Sequence, residues 1–179
     1  MMWLIPSGFK QGKLDIKKNK DIVGQLLMPR TWHMKEMDKH DIVWEGDNDC
    51  YTNNFHPTKF LGWLELAKAY QDRCLFINPP DVVGDAVGTM KLFKDWVPRI
   101  KALGYPVSLV LQDGIENMVI PWGDIDAVFV GGTTEWKMSQ TVIELLLRVG
   151  EKRKHRHIGR VNSVSRIMHF WDFAESFDG

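Results

Sequence analysis

The stretch DAVFVGGTTEWK, residues 126–137, decides how this chain is read. Its four apolar residues, Ala127 to Val130, run without a polar break, the pattern of a strand buried on both faces in a parallel sheet. The run stops abruptly in Gly131-Gly132 and two threonines. A glycine pair lets the main chain approach a ligand closely, or supplies dihedrals other residues avoid. The plainer reading is a tight turn between a strand and a helix. Both stay open on this stretch alone.

The same unit recurs along the chain: a short apolar run, a polar or glycine stop, then usually a helical pattern. The runs fall at 3–8, 23–30, 41–47, 74–81, 107–114, 126–132, 157–163 and 176–179. Helical spacing appears over 58–70, 86–103, 139–149 and 163–175. Pro98 sits inside the second, where it predicts a kink or a new start. Ser139 and Gly150 are placed to cap the third. Eight such runs predict a (β/α)8 TIM-like barrel with degenerate early crossovers and no closing C-terminal helix. A doubly wound open sheet is the rival. The reading is one domain over residues 1–179, either a degenerate barrel or the front part of a longer product.

Composition narrows the function classes. Lys plus Arg and Asp plus Glu balance at 23 each, so no global field points to a nucleic acid or a membrane, and such a partner must be met by a local patch. Two cysteines make no disulfide framework and have no Cys-x-x-Cys spacing, which leads us to expect a reduced, cytoplasmic setting. The opening MMWLIPSGFKQGK is broken too early by Pro6 and Gly8 for a signal peptide. No apolar run approaches the roughly 18 residues a membrane span needs.

In a barrel, chemistry gathers at the C-terminal ends of the strands. There the sequence puts Asp47 and Asn48, then Asp81 and Asp85, Gln112 and Asp113, Gly131 and Gly132, Arg160 and Asn162, and finally Asp178. Singly, each has a structural reading, since Asp and Asn cap helices and make turns. Together they predict a polar pocket, with Asp85 the one best placed to cap the helix beginning near Ala86. The run Lys152, Arg153, Lys154, His155, Arg156 reads as a solvated helix end, or as a grip on a backbone phosphate. No nucleotide-loop spacing, His-Glu-x-x-His or Gly-x-Ser-x-Gly is present, and the six histidines show no metal-ligand spacing.

The segments PSGF (6–9), PDVVGDA (80–86), YPVSLVLQDG (105–114), IDAVFVGGTTEWK (125–137) and HIGRVNS (157–163) together resemble the phage and bacterial deazapurine-in-DNA transglycosylases, relatives of the tRNA-guanine transglycosylases. The resemblance runs from about Trp3 to Gly179, and GGTTEWK is its most specific piece. It implies exchange of a guanine in DNA, less readily in tRNA, for a free 7-deazaguanine base, with no cofactor. It implies Asp178 as nucleophile and Asp47 in acid/base roles, with Asp81, Gln112, Gly131 and Gly132 recognising the base. Asp85, Asp113 and Asn48 would complete the base site. Lys152, Arg153, Lys154, Arg156 and Arg160 would hold the strand. The zinc site of the tRNA enzymes has no counterpart, so no structural metal is expected. Asp49 stands where the family usually has a glycine.

The residue types suit that chemistry. Breaking an N-glycosidic bond develops positive charge on the sugar, which a carboxylate below C1′ stabilises and traps. Guanine offers N1–H and 2-amino donors to an aspartate. Its O6 takes a donor from Gln112 or from a backbone N–H near Gly131-Gly132. Trp136 or Tyr51 is available to stack on the extruded base. Two other readings use the same rim: a carboxylate-dependent N-glycoside hydrolase, and a non-catalytic or truncated relative that binds nucleic acid or protein.

Overall fold

A computed structural model describes residues 2–5, 21–31 and 41–179. Its apolar runs form eight short strands: β1 (Trp3–Leu4), β2 (Gln25–Leu27), β3 (Trp44–Gly46), β4 (Cys74–Ile77), β5 (Ser108–Leu111), β6 (Ala127–Val130), β7 (His155–Ile158) and β8 (Ser176–Phe177). All strand pairings among the described residues are parallel. One sheet has the order β1-β8-β7-β6-β5, and a second has the order β2-β3-β4. The edges of the two sheets meet at isolated parallel bridges, Leu4 with Val23 and Ile77 with Val107. The protein is therefore a mixed α/β fold built on parallel strands. The segment PSGF and the early crossovers, expected to be irregular, lie at 6–20 and 32–40, outside the described residues.

The helices among the described residues are α1 (Pro57–Leu66), α2 (Ala86–Ala102), α3 (Thr134–Lys137), α4 (Gln140–Glu151) and α5 (Val164–Phe170). A 3-10 segment, Ala67–Arg73, carries α1 into β4. Helix α2 runs on through Pro98, so no new helix starts there. Proline removes one backbone bond, but Phe93, Trp96, Val97 and Ile100 are all buried around it, and this packing carries the helix across. Ser139 stands at the N-cap of α4 yet its hydroxyl makes no capping bond, and Gly150 lies inside the last turn. The basic run starts at the exposed end of α4, with Lys152 as its C-cap, and continues into the next strand. His155 and Arg156 belong to β7, two residues ahead of the run read from sequence.

The helices cover the strands with one main apolar cluster. Within it, under α1 and α2, the fully buried Phe60 ring meets Phe55, Trp63 and Trp96 at centroid distances of 5.6, 5.8 and 5.9 Å. The Phe55 and Trp96 contacts are edge-to-face, and such pairs add to the area they bury. Phe60→Ala is expected to destabilise the protein by about 3–5 kcal/mol, from lost transfer energy plus the cavity left behind. Urea denaturation checks it, and a loss below about 1 kcal/mol would mean that the ring cluster is not what anchors α1.

Candidate active site

A period of two along each strand sends alternate side chains to the same side. Residues just past the strand ends then meet at one mouth. A cavity of about 320 Å³ opens there, lined by Asp47 and Asn48 after β3, Asp81 after β4, Gln112 after β5, Gly131 after β6, Arg160 and Asn162 after β7, and Asp178 after β8. Met28, Val110 and Phe129 supply apolar wall. The sequence expectation that distant polar residues converge is met for these positions.

Gln112 organises the far side. Its Oε1 accepts from Gly84 N and from Gly132 N, both at 2.8 Å, and its Nε2 donates to Asp81 Oδ2 at 2.7 Å. Asp81 Oδ1 accepts from Asn48 Nδ2 at 2.8 Å. Burial pushes the Asp81 carboxyl above its usual range, and these two amide donors pull it back. The same network answers what the glycine pair is for. A Cβ on Gly131 would sit 2.8 Å from Gln112 Nε2. Gly132 has φ 70°, and a Cβ there would meet the Trp136 ring at 2.4 Å. Gly131 N is bonded to Leu111 O and Gly132 N to Gln112 Oε1. Neither N–H is left to reach a purine, contrary to the sequence expectation. Gly131 clears space for Gln112 and Gly132 for Trp136 and Asp113, while Gln112 Nε2 keeps a second hydrogen for a ligand.

Asp47 and Asp178 face the cavity from β3 and β8. Burial, then the charges of Asp178 and Asp81, raise the Asp47 pKa to about 7. Asp178, 7% exposed, accepts from the Arg160 backbone N–H on Oδ1 and lies 3.2 Å from His157 Nε2 on Oδ2. His157 Nδ1 is 2.8 Å from Ser176 Oγ, which is 2.6 Å from His155 Nε2. Burial lowers the pKa of both histidines, His155 to about 4, so both rings are neutral near pH 7. One proton arrangement satisfies the line: His155 donates to Ser176, Ser176 to His157, and His157 to Asp178. The sequence reading placed His155 only in the basic run and missed His157 and Glu45. Glu45 is fully buried, its carboxyl 3.0 Å from His157 Nδ1 but without a hydrogen bond. Burial, with the charges of Asp178 and Asp47, drives its pKa well up, so it holds a proton. The period of two was the available signal: Glu45 and Asp47, like Ser176 and Asp178, share a face.

Donor atoms of Glu45, His157 and Asp178 lie within 4.8 Å of one another, near enough for a cation. The imidazole, however, turns opposite nitrogens to the two carboxyls, and the line of hydrogen bonds accounts for the geometry better than a shared ion does.

Several predicted site residues serve elsewhere. Asp85 caps α2, accepting from Val87 N and Gly88 N, because it immediately precedes the helix. Asp113 accepts from Thr133 N and Oγ1 and braces the turn after β6. Gly132 stands behind Gln112 and gives its carbonyl to Arg160. Trp136 bonds Glu116 and packs against the apolar core, whereas Tyr51, 62% exposed, lines the cavity under the Arg160 guanidinium at 4.6 Å. Lys152, Arg153 and Lys154 precede β7, at the end of the strands opposite the cavity, and Arg156 is paired with Glu175. Of the five predicted phosphate contacts, Arg160 alone lines the cavity. Asp49 has φ 63°, the region glycine favours, and its carboxylate is held by Arg30 at 2.6 Å and by Thr52. Aspartate is among the few side chains that tolerate this conformation.

No family model matches the sequence, and no significant match is found among curated proteins.

The raised Asp47 pKa makes a signed prediction. A carboxyl that binds its proton more tightly when folded stabilises at low pH, and that stability is lost as pH rises from about 4 to about 7. Asp47→Asn is therefore expected to be near neutral at pH 4 and to stabilise at pH 8 by about 1–3 kcal/mol. Urea midpoints at the two pH values check this, and an equal shift at both would remove the buried charge as its cause.

Proposed function

We propose that this protein is a guanine transglycosylase acting on DNA, exchanging guanine for a 7-deazaguanine base through a covalent aspartyl–sugar intermediate. The observation that carries the reading is the gathering of Asp47, Asp81, Gln112 and Asp178, from four different strand ends, around one cavity. Its volume of about 320 Å³ is at the low end of small-molecule sites, suited to a single base with its sugar. Part of the proposal is that the two sheets close into one eight-stranded (β/α)8 barrel. The parallel bridges at Leu4–Val23 and Ile77–Val107, on the two seams, support closure. No helix among the described residues is long and apolar enough to cross a membrane, and Cys50 and Cys74 are free thiols. Both features suit a reaction carried out in the cytoplasm.

The chemistry assigns a role to each group. Asp81 accepts the N1–H and 2-amino hydrogens of the extruded guanine, and the free Gln112 Nε2 hydrogen meets O6. Asp178 attacks C1′ as the bond from C1′ to the base nitrogen breaks, and the new carboxylate–C1′ bond holds the sugar. The departing base takes a proton from Asp47, whose pKa near 7 lets it give and regain one close to neutrality. In the return step the incoming deazapurine gives its ring N–H proton to Asp47. Its nitrogen then bonds C1′ and releases Asp178.

The test is DNA carrying labelled guanine, incubated with excess 7-deazaguanine derivative. Label release coupled to incorporation supports base exchange; release alone indicates hydrolysis, and either that result or no release at all overturns the proposal. Asp178→Asn is expected to cut exchange by at least about 10³-fold while retaining the folded structure by circular dichroism. In the active protein, the pH dependence of exchange should carry one limb near pH 7 that disappears in Asp47→Asn.

A further inference from the structure

Beside the base cavity lies a second one, of about 220 Å³, and the two share Tyr51, Arg160 and Asn162. Three cations line it: Lys137 from α3, Arg160 after β7 and Arg166 from α5. Among the described residues none of the three forms an ion pair. Lys137 is only 5% exposed, and its ammonium donates to the Gly159 carbonyl. Arg160 donates to the Gly132 carbonyl, and Arg166 to Asn162 Oδ1 at 3.0 Å. Their partners are thus neutral oxygens, and their charges are left facing one another. Burial, then Arg160, lowers the Lys137 pKa to about 8, with Arg166 adding to the effect and Asp178 opposing it.

Holding three cations together around a cavity costs electrostatic energy that an anion would return. The ammonium already sits out of water, so an anion entering there meets a desolvated donor without further reorganisation. The neighbouring base cavity decides which anion. A nucleotide whose base occupies one cavity must place a phosphodiester close by, and Arg160 stands between the two spaces.

We propose that Lys137, Arg160 and Arg166 form a phosphate site that holds one backbone phosphodiester flanking the extruded nucleoside. This rests on the base-exchange reading. It also replaces the predicted grip of Lys152 to Arg156, which face the other end of the strands. Arg166 is the residue to test, because it is partly exposed and outside the base cavity.

The measurement is the affinity of a single-stranded oligonucleotide with one guanine, each phosphate beside it replaced in turn by a neutral methylphosphonate. One position is expected to cost the unaltered protein about tenfold in affinity, the scale of one charge-assisted hydrogen bond. Arg166→Gln should lose about the same. In that variant the methylphosphonate should cost nothing more, and the salt slope should fall by about 0.7. Lys152→Gln, at the opposite end, should keep the full methylphosphonate loss. Independent, additive losses, or no sensitive phosphate, would overturn the site. Arg166-dependent binding of inorganic phosphate without phosphate sensitivity in the oligonucleotide would overturn the strand as its source. Coupling without base exchange would retain the site and discard the transglycosylase reading, whereas exchange without coupling would discard the site alone.

Discussion

The side-chain amide of Gln112 ties together three loops that are remote in sequence. Its oxygen takes the N–H groups of Gly84 and Gly132, and its nitrogen holds Asp81. Each bond is ordinary in length. Their force comes from burial, where a polar group left without its partner costs about 1–3 kcal/mol. The amide is also asymmetric, so reversing it would set two N–H donors against its own NH2 and leave Asp81 facing an oxygen. The orientation of Asp81, the conformation of the glycine pair and the shape of the cavity wall therefore follow from one side chain.

Around that hub the protein gathers four carboxyl groups, Glu45 and Asp178 buried and Asp47 and Asp81 partly so. Like charges at such separations cannot all persist without compensation. Glu45 keeps a proton, Asp47 is poised near neutrality, Asp81 is held by two amides, and Asp178 by a backbone N–H and a neutral imidazole. Four residues of nearly the same chemistry thus acquire different protonation and different freedom. Such divergence of environment is how one set of carboxyls divides acid, base and nucleophilic work.

Much of this was legible in the chain. The continuous apolar runs marked the strands within a few residues, because burial on both faces leaves no polar alternation. Asp47, Asn48, Asp81, Gln112, Gly131, Arg160 and Asp178 were found by their place after those runs. Asp113 was read the same way and proved structural, while Asp85 is the helix cap that its place before Ala86 had suggested. A carboxylate next to a helix start or a turn satisfies nearby N–H groups, and that local bond wins over a distant pocket. Lys137 passed unnoticed because a lysine ending a short helical segment looks like surface.

What the sequence determined by itself is local: where strands begin and stop, which face of each helix is apolar, and which turns need glycine. These depend on spacing within a few residues, through the periods of two and 3.6 and the dihedrals each residue allows. The tertiary structure alone decided which side chains share a space: the Glu45–His157–Asp178 neighbourhood, the three cations beside the base cavity, and the basic run turned to the other end. Register between strands and the packing of helices on them set those distances. Both arise from contacts between residues far apart in the chain, so no local pattern encodes them.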